Sequence, residues 1–153
     1  MRIMAVDYGE SRTGIAVCDP TEFLASPVCI IKEKNTLKAI EKIAEKAKEL
    51  KAEQIVVGHP LNMNGTRGER AEKCTFVADE VSKLSGIETV MWDERATTKT
   101  ALGMLGDSGT YGKKRKEVLD AVAAVVILEN YMAWRKNNKQ NQNHQLSAIV
   151  KRK

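Results

Sequence analysis

Three acidic positions in this 153-residue chain are out of keeping with their surroundings. Asp7 ends the apolar run 3-IMAVD-7, Asp93 and Glu94 follow 87-IETVMW-92, and Asp120 sits inside 118-VLDAVAAVVILENYM-132, which is apolar almost all round. A carboxylate in such a setting is expensive unless it is paired, hydrogen-bonded or bound to a metal. Carboxylates brought together also repel and raise one another's pKa until a cation neutralises them. Hard divalent ions such as Mg²⁺ are held by one or two carboxylates together with water and substrate phosphate oxygens. Two such ions about 4 Å apart clamp the attacking and leaving oxygens of a phosphodiester displacement. The residue types therefore point to work on a phosphate or a metal, with Asp7 at its centre.

The elements that must position these acids can be read in order. Residues 2–7 form a strand rich in Ile, Met, Ala and Val, as one buried on both faces would be. A short connection containing Gly9 leads to a second strand, 13–18, in an antiparallel hairpin, and 28-VCIIK-32 adds a third after a loop bracketed by Pro20 and Pro27. Leu37, Ile40, Ile43, Ala44, Ala47 and Leu50 then recur every three or four residues, which predicts a helix capped by Asn35 or Thr36. A buried strand at 54–58 and the turn-rich loop 59-HPLNMNGTRG-68 follow. Residues 69–85 predict a second helix through Ala71, Cys74, Phe76, Val77, Val81 and Leu84, with Gly86 as its stop. After the strand at 87–92 come a short helix from Thr97 or Thr98 to about Leu105, a Gly-rich basic loop over 106–116, and a buried helix over about 117–134. The order βββ-α-β-α-β-α-α predicts an α/β fold: a mixed five-stranded sheet flanked by helices, with a three-strand antiparallel meander and two parallel strands. The strand at 54–58 should lie parallel to the first and beside it. Asp7 then stands where open α/β sheets seat their ligands.

Composition bounds the rest. The length suits one domain, and no apolar run approaches the roughly 20 residues that span a bilayer. Strand-like sequence follows Met1 with no signal segment, so the expected location is the cytoplasm. Cys18, Cys29 and Cys74 are scattered without C-x-x-C spacing and read as buried reduced thiols. The net charge of +5 misleads until it is located: six of the 25 Lys and Arg and none of the 20 acids fall after residue 134. Residues 1–134 are expected to form the folded domain, nearly neutral, and 135–153 a basic, Asn/Gln-rich and mostly disordered tail. Affinity for a polyanion must come from local patches and metal ions.

Four segments together resemble the YqgF/RuvX family of Holliday-junction resolvases and pre-16S ribosomal RNA nucleases, which have the RNase H-like fold. They are the opening pattern of Val6, Asp7, Gly9, Arg12, Gly14, Ala16 and Asp19, the segment 57-VGHPLNMNGTRG-68, 93-DERATT-98, and 115-RKEVLDAVAAVVIL-128. The resemblance runs from residue 2 to about 133. His59 departs from it, standing where an aliphatic residue is usual, and so does Ala96, where a larger apolar residue is common. The resemblance implies a metal-dependent nuclease using Mg²⁺ or Mn²⁺, two ions bound with substrate, with Asp7, Glu94 and Asp120 as ligands. The second acid of related resolvases ends the strand beside the first, but here that strand ends in 57-VGHP-60, so Glu94 must reach in from one strand farther out.

The expected substrate is structured RNA, specifically the 5′ end of pre-16S ribosomal RNA. Junction DNA is the alternative, and a non-catalytic nucleic-acid-binding or ribosome-associated module is a rival from another class. Ribosome association and a monomer or homodimer both fit. Candidate nucleic-acid contacts are Arg12, Asn62, Asn64, Thr66, Arg95, Lys113, Lys114 and Arg115. Each has a plainer reading. Arg12 could pair with Asp19, Asn62, Asn64 and Thr66 suit any tight turn, Arg95 could bridge Glu94, and the lysines could line a solvated loop. Asp19 reads as structural, and His59 as packing rather than as a general base.

Overall fold

The computed structural model describes residues 1–60, 68–94 and 112–142, with side chains in the last stretch from 121 to 138. Five strands form one sheet: β1 (Ile3–Asp7), β2 (Arg12–Cys18), β3 (Ala25–Lys32), β4 (Gln54–His59) and β5 (Glu88–Asp93). Their order is β3-β2-β1-β4-β5. β1 pairs antiparallel with β2 and parallel with β4, in register Val6 to Val57, and β4 pairs parallel with β5. The mixed sheet and the place of β4 beside β1 are as the crossover rule requires. β3 starts earlier than its apolar run suggested and takes in Pro27. A proline is tolerated there because β3 is an edge strand, and Pro27 faces Ala16 where the β2–β3 register shifts.

Pleating sorts the core into two layers. Met4, Val6, Ile55 and Val57 face α1 (Thr36–Glu49) and α2 (Glu69–Ser85). Ile3, Ala5 and Val56 face α3 (Gly112–Gln142), where Ala124, Ile127, Leu128 and Tyr131 meet them. The Asn35 side chain caps α1 by accepting from the Lys38 amide at 2.9 Å, and Gly86 ends α2. The helix stripes are narrower than the spacing suggested. Ile40, Ile43, Ala44 and Ala47 are buried, as are Ala71, Cys74, Val77 and Val81, whereas Leu37, Phe76 and Leu84 are exposed. Phe76 lies about 100° round the helix from Val77 and so falls outside the stripe.

α3 corrects two expectations. It begins at Gly112, so Lys113, Lys114, Arg115 and Lys116 belong to a helix and not to a loop. It also continues to Gln142, so residues 135–142 of the expected tail are helical. The sequence has no Gly or Pro after Gly112 to stop it, and Lys, Arg and Gln are good helix formers. The predicted short helix near 97–105 and residues 143–153 lie outside the described residues. Among those described, no helix is long and apolar enough to cross a membrane.

α3 runs antiparallel to β4. Ile127 packs at Gly58, while the Tyr131 hydroxyl donates to Gln54 Oε1 at 2.8 Å and Gln54 donates to Glu88 at 2.7 Å. Trp92, Tyr131 and Trp134 pack together at that end, with Tyr131 and Trp134 stacked at 5.8 Å. Both tryptophans thus have a structural use. Cys18, Cys29 and Cys74 are free thiols, the first and last buried and Cys29 half-buried.

Candidate functional site

The alternation along each strand decides which acids can meet. Ile3 and Ala5 face α3, so Asp7, two residues on, takes that face too. Gly58 shares it with Val56. A Cβ built on Gly58 would come within 2.7 Å of Ile127 Cδ1 and 2.9 Å of Glu94 Oε2. The Glu94 carboxylate therefore crosses from the end of β5 over the bare backbone of β4, towards the strand that carries Asp7. Gly58, having no side chain, is what leaves room for that carboxylate.

Glu94 is half-buried, and burial is the largest influence on its carboxyl, pushing the pKa up. The Arg70 guanidinium opposes that push and Asp93 adds to it. The buried Cys74 thiol is driven up to about 11, first by burial, with Glu94 and Asp7 contributing and Arg70 opposing. Asp7, Glu94 and Arg70 thus lie within electrostatic reach of one thiol. The thiol itself is inert as a nucleophile, since it stays protonated at neutral pH.

Arg70 was not singled out in the sequence. It donates to the Tyr8 carbonyl at 3.4 Å, directly beyond Asp7. Its signal was weak: a first-turn arginine just after a Gly-containing loop. Gly9 closes the β1–β2 connection so tightly that a Cβ there would stand 2.4 Å from the Arg12 carbonyl oxygen.

The remaining candidates divide. Arg12 opens β2 on the side of Asp7, while Asp19 follows its other end, about 20 Å away along a seven-residue strand, which rules out their pairing. Asp19 instead accepts from the amides of Thr21, Phe23 and Leu24 and from the Thr21 hydroxyl. His59 is buried, with Nε2 3.3 Å from Thr75 Oγ1. That hydroxyl gives its only proton to the Ala71 carbonyl, so it accepts from the ring, which ties Nε2 to α2. Asp120 belongs to α3, seven residues before Ile127, and its side chain lies outside the described residues, as do those of Lys113, Lys114 and Arg115. Asn62, Asn64, Thr66 and Arg95 lie outside them altogether. Among the described residues, no group of three or more His, Cys, Asp or Glu is placed to hold a metal.

The family model for RuvX, described as Holliday junction resolvase, matches residues 1–134. The chain belongs to the RuvX family. A relative from Ruminiclostridium cellulolyticum, named "Putative pre-16S rRNA nuclease", is 37% identical over 142 residues, covering 92% of this chain and 100% of its own. One of the same name from Listeria innocua is 40% identical over 134 residues, covering 86% and 97%. Among solved structures, Thermus thermophilus RuvC in complex with a Holliday junction substrate superposes with a TM-score of 0.58 at 15% identity, covering 89% of this chain and 96% of that one. The fowlpox virus Holliday junction resolvase gives 0.51 at 15% identity, covering 87% and 99%. These likenesses show the fold, that of RuvC and the RNase H-like proteins.

Proposed function

We propose that this RuvX-family chain is an endonuclease that hydrolyses phosphodiester bonds in structured nucleic acid, acting on the 5′ end of pre-16S ribosomal RNA. The observation that supports the reading is that the Glu94 carboxylate lies over Gly58, on the face covered by α3, which strand alternation gives to Asp7 as well. Asp120 is the third acid of the site in this reading. It stands two turns upstream of Ile127, and because α3 runs antiparallel to β4 those earlier turns lie towards the carboxyl ends of β1 and β4.

The chemistry of the candidate donors, all carboxylates, suits a hard divalent cation, and Glu94 lies over a space that a single Cβ on Gly58 would fill. Asp7, Glu94 and Asp120 would hold Mg²⁺ or Mn²⁺. Such an ion supplies charge to offset that of the phosphate and lowers the pKa of water. The protein itself supplies partial burial, which keeps the carboxylates poorly hydrated and strengthens every charge interaction in the site.

The pre-16S reading follows the relatives' name, and junction DNA follows the family's description. Incubating the protein with a 5′-extended 16S precursor and with a four-way DNA junction, in Mg²⁺, Mn²⁺ or EDTA, separates them. The precursor should be cut in either metal and spared in EDTA. Asp7→Asn and Asp120→Asn should each lower the rate about 1000-fold. Cleavage of neither substrate, or undiminished cleavage in both variants, would refute the nuclease reading. Cleavage of the junction alone would give the family's description precedence over the relatives' name.

A further inference from the structure

A cleft of about 480 Å³ opens beside the acids, between the β1–β2 connection (Tyr8, Gly9, Glu10) and the first turns of α2 (Glu69, Arg70, Lys73). We propose that it seats a phosphate of the substrate strand one nucleotide from the scissile bond, with Arg70 as its main ligand and Lys73 as a second contact. The inference rests on the nuclease reading above and names a grip on substrate that the acids cannot supply.

The placement argues for it. Tyr8 is the residue after Asp7, so the carbonyl to which Arg70 donates lies about one Cα step, 3.8 Å, beyond the acid. That bond, at 3.4 Å, is near the limit of a hydrogen bond and contributes little to folding. A guanidinium offers five donors in a fork matched to phosphate, and one long bond to a carbonyl leaves that fork available. Lys73 follows at i+3, which puts it on the same side of α2. Arg70 also reaches Glu94 electrostatically, since its charge opposes the upward shift of that carboxyl.

The cleft has a further property. Glu10 and Glu69 share it with Arg70 and Lys73, so its formal charge balances. A free phosphate ion gains little there. A phosphate tethered to one already held at the acids arrives at high effective concentration and needs no net attraction. The site therefore favours a strand over an ion.

The test measures binding of the 5′-extended 16S precursor in Ca²⁺, a hard cation that takes the same oxygen ligands, across a salt series, by wild type, Arg70→Ala, Arg70→Lys, Lys73→Ala and Lys83→Ala. Arg70→Ala should weaken binding about 10-fold and reduce the slope of log K against log salt by about 1, with an unchanged melting temperature. Arg70→Lys should keep the slope and recover part of the affinity, because it retains the charge without the fork. Lys73→Ala should cost less. Lys83→Ala, at the far end of α2 with its ammonium on Glu80 at 3.3 Å, should match wild type. In cleavage assays, Arg70→Ala should raise KM more than it lowers kcat. Wild-type affinity and slope in Arg70→Ala would overturn the subsite alone. Weakened binding with an unchanged slope would overturn it too, by exposing a structural role. A wild-type protein that binds no nucleic acid would overturn the subsite and the nuclease reading together.

Discussion

Asp19 and Glu94 each follow the last residue of a strand, at opposite ends of the sheet, and the fold treats them in opposite ways. Asp19 accepts from three backbone amides at 2.7–3.2 Å, and these bonds, that from Leu24 first, hold its carboxyl well below the usual range. Glu94 is moved upward, and burial is the main cause. One carboxylate is completed by its own turn, while the other is kept desolvated over a glycine beside a second acid. The difference separates an acid that builds the fold from one suited to chemistry. The ends differ in the same way elsewhere. Glu22, near Asp19, receives both the Met1 amine and a two-pronged contact from Arg135 at 2.8 and 3.3 Å.

Among substitutions that test this contrast, the largest effect should come from filling the surface over which Glu94 crosses. In Gly58→Ala the new methyl would press on Ile127 Cδ1 at 2.7 Å and Glu94 Oε2 at 2.9 Å. Displacing the carboxylate should cost about 100-fold in cleavage, and overpacking about 1–3 kcal/mol in stability. Adding Ile127→Val removes one of the two clashes, so the double variant should regain stability without regaining cleavage. Urea unfolding and cleavage rates measured side by side decide the matter. Restored cleavage in the double variant would show that only packing was disturbed and that Glu94 takes no part.

Much of this arrangement was legible in the sequence. The change from period two to period three or four gave the elements, and the crossover rule put β4 beside β1. Asp7 stood out because an acid closed a buried strand. Glu94 was harder, and came only as the third acid that the resemblance implies; Gly58, a glycine in the central strand 54-QIVVGH-59, where a side chain would normally pack, went unread. Arg70 was not legible, since an arginine on the polar side of an amphipathic helix looks the same whether it faces water or an active-site cleft. The length of α3 was obscured for a related reason. A polar helical extension lacks the apolar stripe that announces a helix, and only the lack of Gly and Pro after Gly112 hinted at it.

Glu94→Gln probes the same contrast through stability. The folded carboxyl has a raised pKa, so the folded chain holds this proton more tightly than the unfolded chain does. Burial of the charge therefore costs stability increasingly as pH rises from the ordinary value of 4.5, and the full cost is present once pH exceeds the folded value. Glutamine carries no charge to desolvate. In EDTA at neutral pH, Glu94→Gln should melt higher than wild type, and the gain should fade as pH falls below 4.5. The same variant should cleave poorly. A substitution that stabilises while it inactivates is expected of a site acid; a lower melting point at neutral pH would mean that Glu94 is held by favourable partners, as Asp19 is.

Asp19→Asn should give the smallest effect and the opposite sign. Its lowered pKa means that its contribution to stability is full above the unfolded value of 3.8 and is lost as pH falls through the folded value. Asparagine keeps one acceptor oxygen but loses the charge and the second acceptor. The variant should unfold at slightly lower urea than wild type at pH 7, and the gap should narrow at pH 3, where the unfolded wild-type chain takes up a proton that the folded carboxylate still refuses. Cleavage at pH 7 should be unchanged, because Asp19 stands at the end of the sheet away from Asp7. The turn it organises also holds Glu22 in a left-handed conformation, φ 58°, where a non-glycine residue needs external support. Loosening that turn should therefore weaken the Glu22–Arg135 contact as well, seen as faster amide exchange at Phe23 and Leu24. A loss of cleavage comparable to that of Gly58→Ala would couple the two ends of the sheet and undo the separation on which the contrast rests.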